Sequence, residues 1–441
     1  MGIGMLLHKL APPRPPKPAF ARTIPSTISG KPGEIGLLFY VPLGYDTQRR
    51  LWTGRAFNQD EDTKAKGKQR RVSSFAQVGQ SIRRRSSSAR KWGGYPVVIN
   101  FHGGGFTLGT ATDDARWCDT VVNECGAVVI SVDYRLAPEH PFPTAVEDGV
   151  DAVIWVHNHA AELGIDKDKI VLSGFSSGGN MAFTVPLRLY DAMMDFPRDN
   201  DEPTRHAETG ELTSTVPASS DSASSDSTKV ASGSGDVEIL DPRAPPPPSP
   251  GKLQKSSTTV TASAIRDMDI KLRAIVPWYP STDYTRSREQ RRGTSTRKDQ
   301  DLPAMFTDLF DESYLHPPKT ISLDSPYLSP GVAPTALLKN GLPNEIILSC
   351  CEWDMLLDEG QAFRDRLMSP EIGKNVSYKL IKGVPHGWDK APNPLKPTPG
   401  VREHYLRACK ELRRIFGAQP GIVERPTDFG PSAARRQSVV N

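Results

Sequence analysis

No stretch of apolar residues in the chain approaches the about 20 needed to cross a bilayer, which leaves no candidate spanning helix. Charge of one sign is also missing in bulk. Lys and Arg total 55 against 51 Asp and Glu, a net charge of +4, too small for a general nucleic-acid binder. Cysteine is scarce, with Cys118, Cys125, Cys350, Cys351 and Cys409 making an odd, sparse set. Such a set predicts free thiols in a reducing compartment, and no Cys/His cluster with metal-ligand spacing accompanies it. The adjacent Cys350 and Cys351 close an apolar run and read as packing residues. The N-terminal residues have no basic region ahead of their short apolar patch, so no secretory leader is expected. Leu6 stands where a myristoylation pattern needs Ser or Thr. Together these features lead us to expect a cytoplasmic protein.

Three segments lack the apolar side chains that offset the entropy of ordering a chain. Residues 60–93 are basic, with ten Lys/Arg and no Asp/Glu between Lys64 and Lys91. Residues 196–266 are rich in Ser, Asp, Gly and Pro, and 418–441 form a polar tail. All three are predicted to be disordered. The organisation expected is a Pro-rich segment over 1–22 and one domain over 23–417, interrupted by the two inserts.

The rest alternates between apolar runs and helical spacing. Strands are predicted at 95–101, 126–134, 169–173, 271–279, 344–350 and 376–383. Helices are predicted at 145–163, 358–368 and 401–416. Strands apolar on both faces and separated by helices predict an α/β fold, a mostly parallel sheet covered on both sides.

The stretch "GFSSG" (174–178) has the Gly-x-Ser-x-Gly outline of a nucleophile elbow. Alone it is weak, since this composition supplies about 0.3 such matches by chance. Its context is stronger. The strand ending at Ser173 precedes it and a helix-compatible run follows, the strand–turn–helix that lifts Ser176 above a sheet edge. A second stretch, "HGGG" (102–105), follows the strand 95–101. Consecutive glycines leave backbone N–H groups uncovered, a suitable oxyanion hole, and Gly104, Gly105 and Ser177 are the candidate donors. A serine needs a base, and the base needs an orienting acid. Of nine histidines, His386 lies just past the last strand, at the edge where Ser176 should emerge. His8 and His206 fall in predicted disorder, His157, His159 and His404 on helices, and His102 reads as a hydrogen-bonder in the glycine turn. Asp354 follows the strand 344–350, with Glu352, Asp358 and Glu359 as neighbouring competitors. The order Ser176, Asp354, His386 is that of the α/β-hydrolase triad.

These stretches, with "VDYRLAPEHPFPTAVEDG" (132–149) and "DMLLDEG" (354–360), resemble the hormone-sensitive-lipase-like carboxylesterases, the fold-3 group of α/β hydrolases, over roughly 95–190 and 270–416. The resemblance implies an α/β-hydrolase fold with an eight-stranded, mostly parallel sheet and a lid. It implies ester hydrolysis without metal or cofactor, with Ser176 as nucleophile, His386 as general base and acid, and Asp354 orienting it. The group's usual elbow is Gly-Asp-Ser-Ala-Gly-Gly, whereas this chain has Phe175 and Ser177. Phe175 is expected to alter the acyl pocket. Residues 304–315 are the candidate lid, with Met305, Phe306, Leu309, Phe310 and Tyr314 forming an apolar face. Tyr134, Arg135, Glu139, Glu147 and Asp148 are expected to fix the architecture around the oxyanion loop.

The expected partner is a small-molecule ester. The basic patch 64–91 also fits peripheral contact with an anionic membrane surface, and Ser73, Ser86 and Ser438 fit basophilic kinases. Two rival readings are a non-catalytic ligand-binding member of the same fold and a scaffold acting through its phosphorylatable inserts.

Overall fold

Successive strand residues point to opposite faces of a sheet. In a computed structural model of the chain, both faces are apolar. Val97, Ile99 and Phe101, Val128, Ile130 and Val132, and Ile170 and Leu172 pack into one core. Their strand neighbours Val98, Val129 and Val171 pack into a second. The structure describes residues 14–53, 94–194, 265, 268–317, 320–390 and 400–417. Apart from Ile265, the predicted inserts and tail lie outside the described residues, and so do the basic patch 64–91, Ser73, Ser86 and Ser438. The chain divides into 1–195 with 260–441 and, separately, 196–259; only the first contains described residues.

Among the described residues there are ten strand segments: β1 Phe20–Pro25, β2 Glu34–Tyr40, β3 Tyr95–Phe101, β4 Val128–Asp133, β5 Ile165–Phe175, β6 Leu272–Trp278, β7 Glu345–Ile346, β8 Ser349–Trp353, β9 Asn375–Val376 and β10 Lys379–Pro385. They form one sheet in the order β1-β2-β4-β3-β5-β6, continued by β7 and β8 and then by β9 and β10. The last four are two interrupted strands, so the sheet has the expected eight positions. Only β1/β2 and β2/β4 are antiparallel.

Helices Thr144–Asn158 and Ser177–Met194 bury apolar side chains in the first core, and Ala115–Cys125 and Val401–Phe416 in the second. Val401–Phe416 buries Tyr405, Ala408, Cys409, Leu412, Ile415 and Phe416, one stripe at helical spacing. Among the described residues, no helix is long and apolar enough to cross a membrane. All five cysteines are free and buried, and burial pushes the Cys350 thiol up to about 12.

The antiparallel pair β1/β2 corrects the reading of the N-terminal region, because β1 begins inside the segment expected to precede the domain. The turn after β1 is tied to helix Thr144–Asn158. Asp151 accepts from the backbone N–H groups of Thr27 and Ile28 at 2.8 and 3.1 Å. Arg135 pairs with Asp148 at 2.6 Å, with side chains 8% and 0% exposed, and donates to the Lys31 carbonyl at 2.8 Å. This pair therefore secures the N-terminal hairpin, while Tyr134 reaches the glycine turn, donating to the His102 carbonyl at 2.8 Å. Replacing Arg135 with Met strands a buried carboxylate, and we expect a loss of about 3–5 kcal/mol in urea unfolding. An unchanged midpoint would show that Asp148 is satisfied without the arginine.

Candidate active site

Parallel strands present their carboxyl ends at one rim, the usual place for a site in such a sheet. Ser176 follows β5, Asp354 follows β8, and His386 follows β10. Their sequence separation is bridged there. His386 Nε2 lies 2.8 Å from Ser176 Oγ, and His386 Nδ1 lies 2.7 Å from Asp354 Oδ2. A carboxylate only accepts, so Nδ1 carries the proton and Nε2 is left to accept from the serine hydroxyl. The other Asp354 oxygen accepts from the Leu356 N–H at 2.9 Å, and the Asp354 side chain is 1% exposed.

The elbow is tight. Ser176 has φ 54°, left-handed for a non-glycine residue, and helix Ser177–Met194 starts immediately after it. Its N–H donates to the Trp278 carbonyl at 2.9 Å, and its carbonyl accepts from Asn180 at 2.9 Å. A Cβ on Gly178 would stand 2.0 Å from the Phe101 carbonyl oxygen, and one on Gly174 would stand 2.1 Å from the Gly178 oxygen. Both obstacles are backbone, so Gly178→Ala must shift β3 or the elbow. We expect ester turnover to fall about 100-fold or more, the scale of an angstrom-level misplacement, with a lower melting temperature. Wild-type turnover in this variant would remove the packing argument.

The glycine turn lies against Ser176, since a Cβ on Gly103 would be 3.4 Å from Ser176 Cβ. Gly104 has φ 123° and its carbonyl accepts from Thr107 and Leu108. The amides of Gly104, Gly105 and Ser177 have no hydrogen-bond acceptor among the described residues. Ser177 also sits at the positive end of its helix. His102 is buried, donates Nδ1–H to the Gly103 carbonyl and stacks on Tyr134, a supporting place rather than a reacting one.

The competing carboxylates are engaged elsewhere. Glu352 accepts from Gly383 at 2.7 Å, Asp358 pairs with Arg286 at 2.5 Å, and Glu359 pairs with Arg291 at 2.8 Å in a buried contact.

Helix Ala304–Tyr314 occupies the candidate lid segment. A Cβ on Gly105 would fall 2.3 Å from the Phe310 ring, so that ring covers the oxyanion loop. Tyr314 stacks on Phe106 at 3.8 Å. Met305 and Leu309, however, are 71% and 44% exposed, so the predicted apolar face does not close as one surface. Phe175 is a second correction. It is fully buried, stacked on Trp278 at 5.6 Å among Trp117, Tyr279 and Tyr405, and so it lies beneath the site rather than in an acyl pocket. Tyr279 was not foreseen. Its ring packs edge-on against His386 at 4.9 Å, and nothing in its local sequence signals this.

A strand–serine–helix elbow at the carboxyl rim of a mostly parallel sheet defines the α/β-hydrolase class. A family model described as the alpha/beta hydrolase fold matches residues 98–207 and 257–390, and the chain belongs to that family. Relatives bear out the resemblance to the hormone-sensitive-lipase-like group. The chain is 47% identical over 95 residues to an arylesterase of Saccharolobus solfataricus, covering 22% of this chain and 31% of the relative. It is 45% identical over 92 residues to the hormone-sensitive lipase of Homo sapiens, covering 21% of this chain and 9% of the relative. The matched segments thus span less than a third of these relatives' own length. Among solved structures, an esterase of Pyrobaculum calidifontis superposes with a TM-score of 0.56 at 23% identity, covering 95% of this chain and 91% of that one. At that identity the likeness speaks for the fold alone.

Proposed function

We propose that the protein hydrolyses carboxylic esters through an acyl-enzyme on Ser176. The observation that carries this reading is the continuous hydrogen-bonded chain from Ser176 Oγ through His386 to Asp354. Ser176 Oγ attacks the ester carbonyl carbon while His386 Nε2 takes its proton. The carbonyl π pair moves to oxygen, where the amides of Gly104, Gly105 and Ser177 receive the charge. Reformation of the carbonyl breaks the bond to the alcohol oxygen, which leaves with the proton from His386. Water then attacks the acyl carbon, giving its proton to His386. The Oγ–acyl bond breaks, the acid departs and Ser176 regains its proton. Asp354 stabilises the imidazolium throughout. The matched family and the names of its esterase and lipase members support the same chemistry.

A fluorophosphonate probe tests the reading. We expect one adduct, on the peptide containing Ser176, and loss of p-nitrophenyl ester turnover in step with labelling. A protein that binds esters without reacting takes up no probe, and that outcome would establish the non-catalytic alternative. A series of p-nitrophenyl esters of increasing acyl length, run with and without detergent micelles, then separates esterase from lipase behaviour.

A further inference from the structure

Behind the triad lies a buried ionic cluster that the hydrolytic steps do not use. Asp389 Oδ1 accepts from the Tyr279 hydroxyl at 2.5 Å. Asp389 Oδ2 accepts from the Tyr405 hydroxyl at 2.5 Å and pairs with Lys390 Nζ at 2.7 Å. The same ammonium reaches Asp114 Oδ1 at 2.8 Å, and Asp114 accepts from Asn100 of β3 at 2.8 Å. Lys390 Nζ also sits 3.7 Å from the centroid of the Phe175 ring, a cation–π contact with the residue just before the nucleophile. Burial would push the Asp389 carboxyl up, but Lys390 and the two tyrosine hydroxyls outweigh it and hold the group below the usual carboxylate range. Burial likewise opposes the Lys390 charge, and the two aspartates hold its pKa above that of an ordinary lysine. Asp389 and Lys390 are thus held in their charged forms, while burial outweighs Lys390 and Asn100 at Asp114 and pushes that carboxyl up, so the cluster depends on its geometry being well kept.

Tyr279 connects this cluster to the reacting groups. It follows β6, has φ 36°, and donates its N–H to the Ser349 carbonyl at 2.6 Å. The preceding carbonyl, that of Trp278, holds the Ser176 N–H. Its ring meets the His386 ring at 67°. One residue thus touches the elbow through its neighbour's carbonyl, the base through its ring, and the loop after the base through its hydroxyl.

We propose that Tyr279, held by Asp389 and Lys390, is a positioning residue that sets the His386 imidazole in line between Asp354 and Ser176. This role rests on the hydrolytic reading. It predicts a loss of alignment without loss of substrate binding. In Tyr279→Phe the ring stays and the anchor to Asp389 goes. In Asp389→Asn the shape stays and the charge goes. For each, in the full chain, we expect kcat for p-nitrophenyl acetate, counted per site titrated with fluorophosphonate, to fall about tenfold with KM unchanged, part of the roughly hundredfold that an angstrom of misplacement costs. The low-field proton resonance of the His386–Asp354 hydrogen bond should shift in both variants. A merely structural role lowers the titratable fraction but not the rate per titrated site. If Asp389→Asn does not fold, Tyr279→Phe decides alone. Wild-type kcat per titrated site and an unmoved resonance in Tyr279→Phe overturn the proposal. A wild-type protein that neither takes the probe nor turns over ester removes the hydrolytic reading, and this one falls with it.

Discussion

Ser176→Ala should leave a folded protein whose hydrolysis of p-nitrophenyl esters is lower by about five to six orders of magnitude. Loss of the nucleophile disables the whole relay, so the drop is as large as removing all three members together. What remains is the stabilisation offered by the glycine turn and by substrate binding. The fold should be indifferent to the change. The hydroxyl hydrogen-bonds to His386 Nε2, and the elbow is held by backbone bonds to Trp278 and Asn180 that alanine retains. Circular dichroism and the melting temperature should match the wild type. Substantial turnover by the alanine variant would remove Ser176 from the mechanism.

Asp354→Asn should cost about 10⁴-fold in kcat, the size of effect expected when an amide replaces the orienting carboxylate. The amide nitrogen can donate to His386 Nδ1, which moves the imidazole proton to Nε2 and takes away the acceptor that Ser176 needs. The same change at Asp358 should leave the rate nearly untouched. Asp358 is 54% exposed and pairs with Arg286 at the surface, where such a bridge contributes less than about 1 kcal/mol. Paired steady-state measurements on the two variants decide the assignment. A large loss in Asp358→Asn with little loss in Asp354→Asn would transfer the role to the helix position.

The meeting of Ser176, Asp354 and His386 was legible because each follows a stretch that reads as a strand, and parallel strands end at one rim. The predicted strands end at Ser173, Cys350 and Gly383, and Ser176, Asp354 and His386 follow them within four residues. The final helix, predicted and observed over 401–416, was legible from its single buried stripe. Other features depend on contacts remote in sequence. The β1/β2 pair lies among Pro, Gly and Ser, which read as loop, and it is a strand pair only because β4 and the Arg135–Asp148 pair receive it. Helix Ala115–Cys125 mixes Asp, Thr, Asn and Glu with its apolar residues, so its buried side shows poorly in so short a run. The aromatic surroundings of Phe175 come from three separate segments, around Trp117, Trp278 and Tyr405, and sequence offers no view of which rings converge. On helix Ala304–Tyr314 the buried side chains are Thr307, Ser313 and Tyr314, so the face that packs is not centred on the apolar positions 305 and 309, and Met305 and Leu309 face water.

The described residues stop at Thr53 and at Met194, and they resume at Gly94 and, ahead of β6, at Met268. All four points belong to the strand-start rim. Trp52 packs on Tyr95 at the beginning of β3, and helix Ser177–Met194 runs back from the elbow to end there. Foreign polypeptide grafted at these junctions, whether an affinity tag or a fluorescent domain, therefore attaches a full sheet's height away from the nucleophile.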